Sequence, residues 1–287
     1  MTRVLMFAGQ GAQRVGMGGA ELFDRFADLV AEADAVLGYS LRDLCLTDPH
    51  QRLDRTEFTQ PAVYAVNALS LAALRADGQP DPDAAIGHSL GEYNALQAAG
   101  VFGFTDGLRL VAARARAMAR ITNGAMAAVI GMDEAVIRLL LRRAGLEAVE
   151  VANLNTADQT VVAGPAAKLE AAAVLLKESG ARAVRPLKVS GPFHTTHMAP
   201  AAREFGELLT RTPLAAPRFP VYANRTAQPY SAEHTTRLLT EQIDHPVRWR
   251  ETVERLLDTD PDTEFQEVGT GPVLTRMLRA IHTERTP

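Results

Sequence analysis

The chain has 287 residues, 47% hydrophobic and 22% charged, with a formal net charge of −4; this is the make-up of an ordinary globular protein with room for one large domain or two smaller ones, and it excludes disordered and fibrous classes. The mildly acidic balance lacks the basic face that nucleic acid requires, so no nucleic-acid partner is expected. A single cysteine, Cys45, excludes an internal disulfide and a cysteine-based zinc cage, and neither the short apolar run within Met1–Ala8 nor any later stretch has the length of a signal peptide or of a ~20-residue membrane span; a cytoplasmic home without membrane contact is expected.

Val4 to Ala8 read as a buried strand that breaks into Gly9-Gln10-Gly11-Ala12-Gln13. A dinucleotide fingerprint is not supported there, because Arg14 stands where its third glycine belongs. The loop is either a tight strand-to-helix turn or backbone that reaches a site at the carboxyl end of the sheet. Leu22, Phe23, Phe26, Leu29, Val30, Ala33, Val36 and Leu37 follow helical spacing and predict one amphipathic helix over Glu21–Leu37, stopped by Gly38. A second helix is expected from about Thr59, with Pro61 in its first turn and Gly78 at its end.

Ala84-Ala85-Ile86 then form a strand that runs into Gly87-His88-Ser89-Leu90-Gly91-Glu92-Tyr93 and a helix. Gly-x-Ser-x-Gly between strand and helix is the pattern of a nucleophile elbow, in which side chains two before and two after the serine must be absent. The following helix aims its N-terminal N–H groups at charge that builds up beside the serine. The bland reading is a glycine-rich turn. His88 is expected to point away from the serine.

The helix starting at Phe104 carries four arginines. With Leu108 at zero, Arg116, Arg109 and Arg120 fall near ~80°, ~100° and ~120°, an ordinary solvated face, whereas Arg114 falls near ~240° between Leu110 and Met118. A guanidinium on an apolar side needs a carboxylate. Either an acidic side chain supplies it as a structural ion pair, or a substrate does.

From Ala125 the elements shorten: strand Ala125–Met132, helix Glu134–Ala144, strands Val149–Asn155 and Thr160–Ala163, helix Ala166–Ser179 and strand Ala181–Val189. The order β-α-β-β-α-β is that of a ferredoxin-like unit, read as a small subdomain at 125–190 inserted between 1–124 and 191–287. His194, in Ser190-Gly191-Pro192-Phe193-His194, sits between a Gly-Pro corner and a helix start, a fixed place suited to a general base; His197 has nearly the same setting, and the residues alone prefer neither. A strand at Phe219–Ala223, helices at Glu233–Ile243 and Val247–Leu257, strand Thr263–Val268 and helix Val273–Ile281 are expected to complete a parallel α/β sheet. The turn at Gly269-Thr270-Gly271-Pro272 lacks the lysine of a phosphate-binding loop.

Taken together, Phe7–Gln13, Thr59-Gln60-Pro61-Ala62, Gly87–Tyr93, Gly124-Ala125-Met126, Gly191–His194 and Val268–Pro272 resemble the malonyl-CoA:acyl carrier protein transacylases of fatty-acid and polyketide synthases, in order and over essentially the whole chain. The residues that follow Ser89 look especially like the free-standing enzymes that load polyketide synthases in trans. The resemblance implies an α/β-hydrolase-like large subdomain with a ferredoxin-like insert, and ping-pong transfer of a malonyl group from malonyl-CoA to the phosphopantetheine thiol of an acyl carrier protein, with no metal or bound cofactor. It implies Ser89 as the acylated residue, His194 rather than His197 as the base, Arg114 as the partner of the malonyl carboxylate, and the backbone N–H groups of Gln10 and Leu90 as the oxyanion hole. Gln60, Asn155 and Met118 would support the site, and the backbone carbonyl of Gln242 would orient His194. Ala8 replaces the usual proline of the first motif, and Pro192 stands where polyketide acyltransferases often have alanine. Phe193 resembles the malonyl-selective pattern, since a ring leaves little room for an α-methyl branch, a discrimination worth ~1–3 kcal/mol. The exposed Arg116, Arg120, Arg182 and Arg185 are candidates for docking an acidic carrier. Two other enzymes share the pattern: an acyl hydrolase that edits carrier proteins, for which Arg114 has no use, and the malonyl transferase of a malonate decarboxylase system. A non-enzymatic docking module would not be expected to keep Ser89, His194 and Arg114 together.

Overall fold

A computed structural model describes residues 1–285. In chain order the elements are β1 (Arg3–Phe7), α1 (Gly19–Arg25), α2 (Ala27–Leu37), α3 (Leu41–Leu46), α4 (Thr56–Ala76), β2 (Ala84–Gly87), α5 (Gly91–Ala98), α6 (Phe104–Ala119), β3 (Gly124–Ile130), α7 (Glu134–Arg143), β4 (Glu150–Leu154), β5 (Gln159–Pro165), α8 (Ala166–Glu178), β6 (Ala183–Pro186), α9 (Ala199–Leu209), α10 (Thr235–Glu241), α11 (Trp249–Thr259), β7 (Glu264–Val268) and α12 (Val273–Arg285).

β2, β1 and β7 form a parallel sheet in that order. The apolar run of β1 serves both faces, because side chains alternate along a strand. Leu5 and Phe7 enter the large core built with α4, α5 and α6, while Val4, Met6 and Ala8 enter a second core with Trp249, Val253 and Leu274 of the C-terminal helices. A sheet covered on both sides gives near-continuous hydrophobic strands, which is why β1 and β2 show no polar alternation. The small subdomain is an antiparallel sheet of order β4-β5-β3-β6, the ferredoxin-like arrangement. One face packs with α7 and α8 through Val129, Ile137 and Leu176; the other turns Met126, Ala128 and Val161 toward the main core. Among the described residues no helix is long and apolar enough to cross a membrane.

Several local expectations are corrected. The stretch Glu21–Leu37 is two helices, broken at Phe26 (φ −121°, ψ 42°), whose half-buried ring packs against the core. The second helix begins at Thr56, so Pro61 is its sixth residue rather than in its first turn. α3, capped by the Ser40 side chain accepting from Asp43 N, was not foreseen. Phe219–Ala223 is not a regular strand: Val221 bridges Ala85 and Tyr222 bridges Pro229, and Pro220, having no N–H, offers only its carbonyl to Ala85. The last strand of the small subdomain is confined to Ala183–Pro186.

Candidate active site

The elbow is built by contact between β1, β2 and α5. A Cβ on Gly91 would lie 2.6 Å from the Phe7 carbonyl carbon, and a Cβ on Gly87 would overlap the Gly91 backbone, so both glycines are required by close approach. Ser89 adopts φ 52°, a left-handed conformation that a non-glycine residue enters at a cost of roughly 1–2 kcal/mol. Asn224 holds it there: its Oδ1 accepts from Ser89 N at 2.7 Å and its Nδ2 donates to Gly87 O at 2.6 Å.

His194, also left-handed at φ 61°, faces the serine with Nε2 2.7 Å from Ser89 Oγ. Its Nδ1 lies 2.7 Å from the backbone carbonyl of Gln242. A carbonyl can only accept, so Nδ1 carries the hydrogen and Nε2 presents its lone pair to the serine hydroxyl. Burial, and then the positive charge of Arg114, push the His194 pKa down to about 3, so the ring is neutral and ready to accept a proton. His197 is elsewhere, 2.8 Å from Ala148 O, which separates the two histidines that the residues alone left equivalent.

Arg114 is fully buried on the inner side of α6, as the wheel placed it. Of the two partners expected, an acidic side chain is not in contact with it. In place of an acidic side chain it donates to Gln60 Oε1 (2.6 Å), Gln242 Oε1 (2.9 Å) and Ser89 Oγ (3.2 Å), with its guanidinium 5.5 Å from the Tyr93 ring centre. Burial lowers its pKa from the ordinary value. Two amide oxygens thus hold a cation beside the serine without neutralising it.

The other expected residues line or support a cleft of about 710 Å³ between the two sheets: Gln10, Gln60, Met118, Asn155 and Phe193 all border it with Ser89 and His194. Gln60 Nε2 lies 3.6 Å from Met118 Sδ, and Leu90 is the buried residue at the start of α5. His88 makes its contacts with Asn155 and Trp249 rather than with the serine. Its ring lines the same cleft, 5.6 Å from Trp249, with Nε2 2.9 Å from Asn155 Oδ1. Burial lowers its pKa, keeping it neutral.

Three contributors were missed in the sequence: Asn224, Tyr230 and Glu92. Glu92 is fully buried and accepts from Tyr230 OH, from Gln242 Nε2 (2.7 Å) and from Asn224 N (3.3 Å). Among the candidate docking arginines, Arg120 pairs with Glu204 at 2.7 Å and Arg182 with Asp158, while Arg116 and Arg185 are exposed.

A serine hydroxyl between a neutral imidazole and a guanidinium that no carboxylate contacts, at a strained strand-to-helix turn, is an arrangement that can support covalent acyl chemistry on acids. The chain belongs to the acyl transferase domain family, whose pattern matches residues 4–285. It is 43% identical to the polyketide biosynthesis malonyl CoA-acyl carrier protein transacylase BaeC of Bacillus velezensis, over 97% of this chain and 96% of that protein. It is 46% identical to the polyketide biosynthesis protein ThaF of Burkholderia thailandensis, over 96% of this chain but only 24% of that protein's length. Its fold matches a crystal structure of the malonyl CoA-acyl carrier protein transacylase from Burkholderia pseudomallei with a TM-score of 0.96 and 46% identity, covering 100% of this chain and 99% of the other.

Proposed function

We propose that this protein transfers a malonyl group from malonyl-CoA to the phosphopantetheine thiol of an acyl carrier protein through a malonyl-serine intermediate, serving a polyketide synthase. The observation that carries the reading is the single serine oxygen held 2.7 Å from a neutral histidine and 3.2 Å from a buried arginine. An acyl hydrolase for neutral chains has no use for that cation. The names of the relatives support the malonyl donor, the carrier acceptor and the polyketide role.

In the first half-reaction the malonyl carboxylate pairs with Arg114, a charge-assisted contact of the strong kind. Ser89 gives its proton to His194 Nε2 as Oγ attacks the thioester carbon. The imidazolium that forms keeps its Nδ1–H on the Gln242 carbonyl. The backbone N–H groups of Gln10 and Leu90 take up the oxyanion, each donor contributing roughly 3–4 kcal/mol. Collapse of the tetrahedral intermediate expels the coenzyme A thiolate, which takes the proton from His194. In the second half-reaction the carrier thiol gives its proton to His194 and attacks the malonyl-serine carbon; collapse breaks the bond to Ser89 Oγ, which takes the proton back from His194, and the malonyl thioester of the carrier leaves. These steps use only side chains, backbone groups and the thioester itself.

Arg114 also makes the base respond to the substrate. After burial, its charge is the next cause that depresses the basicity of His194. A bound carboxylate neutralises that charge, so the histidine becomes a better base when an acyl group of the right kind is present. Val15 and Leu187, exposed by 57% and 37%, flank the cleft and offer apolar surface to a pantetheine arm. We read 125–190 as an insert between 1–124 and 191–287 that supplies the cleft's second wall. The buried, unbridged Cys45 suits a reducing cytoplasm. Incubation with malonyl-CoA should add one malonyl group to the protein by intact-mass measurement, and Ser89→Ala should abolish it; an adduct that persists in the variant would sink the serine assignment.

A further inference from the structure

Glu92 and Arg114 are the only buried Asp, Glu, Lys or Arg side chains among the described residues. They do not touch. One amide joins them: Gln242 Nε2 donates to Glu92 Oε2 at 2.7 Å, and Gln242 Oε1 accepts from Arg114 at 2.9 Å. The same Nε2 also donates to Ser89 O at 2.7 Å. An isolated buried charge costs several kcal/mol, so the two charges offset one another across that amide.

We propose that Glu92 is a positioning residue for the choice of acyl group: acting through Gln242, its carboxylate keeps the Arg114 guanidinium aimed beside Ser89, and its ionisation sets how well the site takes an acyl group that ends in a carboxylate. This rests on the reading of Arg114 as the partner of the substrate carboxylate.

The geometry allows little else. Every neighbour of Glu92 is a donor: Tyr230 OH, Asn224 N and Gln242 Nε2. An ionised carboxylate is an acceptor only, which fixes the Gln242 amide with Nε2 inward and Oε1 toward the guanidinium. Gln60 Oε1, at 2.6 Å, holds the other end of the guanidinium. A protonated Glu92 accepts more weakly from Gln242 Nε2, since the hydrogen bond loses its charge. The Gln242 amide, still held by Ser89 O at 2.7 Å, then fixes the guanidinium less tightly.

Burial raises the Glu92 pKa to about 7, against the lowering effects of Tyr230, Gln242, Asn224 and Arg114. The titratable groups around it are Tyr230 and Tyr93, both driven upward by burial, and Arg114, which stays charged. His194, on the far side of Gln242, is neutral. Between about pH 5.5 and about 8, Glu92 is the one of these groups that changes charge.

The test is single-turnover acylation by malonyl-CoA and by acetyl-CoA, read by intact mass across this pH range, in the full-length wild type, Glu92→Gln and Tyr230→Phe. In the wild type the malonyl-to-acetyl rate ratio should fall roughly tenfold as pH drops through about 7, and Glu92→Gln should hold a low ratio at every pH, roughly ten- to a hundredfold below wild type at the alkaline end, the worth of a hydrogen bond to a charged group. Tyr230→Phe removes a donor that stabilises the carboxylate, so its transition should move to higher pH. A ratio independent of pH in the wild type overturns the proposal, as does an unchanged or raised ratio in Glu92→Gln, which would make the carboxylate a repelling charge. Failure of the functional reading is a separate result: the wild type would then form no malonyl adduct at all.

Discussion

Replacing Arg114 with alanine separates its part in recognition from its part in packing. In the wild type three hydrogen bonds hold the guanidinium, to Gln60, Gln242 and Ser89. The variant would leave a malonyl carboxylate facing two amide oxygens in a buried site. Removing one partner of a buried, hydrogen-bonded charge pair costs about 2–5 kcal/mol, so acylation by malonyl-CoA should slow by roughly thirty-fold to several thousand-fold. Acetyl-CoA presents no carboxylate. For it the loss is the contact to Ser89 Oγ, which at 3.2 Å is long and falls at the low end of the about 1.5–3 kcal/mol of a hydrogen bond from a charged group, and this is opposed by a His194 that becomes more basic once the neighbouring charge is gone. Acetyl transfer should therefore stay within about tenfold of wild type. Arg114→Lys should fall between, because an ammonium is a point charge that cannot span three acceptors. Rapid-quench acylation with both thioesters, followed by intact mass, reads the two rates in one experiment. Equal losses for malonyl and acetyl would refute the reasoning and leave Arg114 as a packing residue whose removal loosens the elbow.

Gly91→Ala should lose acylation together with stability. The added methyl meets the Phe7 carbonyl carbon at 2.6 Å and Ala8 O at 3.0 Å, an overlap worth about 3 kcal/mol, or a Tm lower by about 6–12 °C; an unshifted melting curve would contradict the close approach. The His194 pKa is about 3 in the folded protein and near 6.5 in the unfolded chain. Between those values the unfolded chain binds a proton that the folded one refuses, so this residue makes stability fall as pH drops from about 6.5 toward about 3. His194→Gln should flatten that slope in urea midpoints measured at pH 7 and pH 5. Glu92 acts in the opposite sense, its raised pKa favouring the folded state at lower pH, but it is common to both proteins and cancels in the comparison; parallel slopes would count against a neutral His194.

What could be read in advance followed from local pattern. The elbow is five residues whose geometry is dictated by two absent side chains, and Gly87 and Gly91 state that directly. Arg114 was separable from Arg109, Arg116 and Arg120 because a helix converts spacing into direction. The ferredoxin-like order was visible as a change in element length after residue 124. The illegible parts depend on distant segments. Asn224 meets Ser89 from 135 positions away, and Gln242 meets Glu92 from 150. Neither has a local signal, since an asparagine or glutamine near a turn or helix end is ordinary in loops and caps. The same limit applies to the partners of Arg114: the wheel showed that it lies on the apolar side but not that two amides receive it. Phe26 breaks its helix to keep its ring on the core, a demand of packing that spacing alone does not express.

The acceptor for His194 Nδ1 is a peptide carbonyl, and this has a consequence for how the site can exist at all. The same residue's side chain reaches Arg114. A carboxylate accepting from Nδ1 would add a negative charge close to that guanidinium and, on the function proposed, compete with the incoming acid for it. An uncharged carbonyl steers the imidazole without adding that charge. It is also beyond the reach of point substitution, since every residue type at 242 carries one. The proton path and the selection of the acyl group thus run through one residue yet remain open to separate change, the first written in the backbone and the second in the side chain.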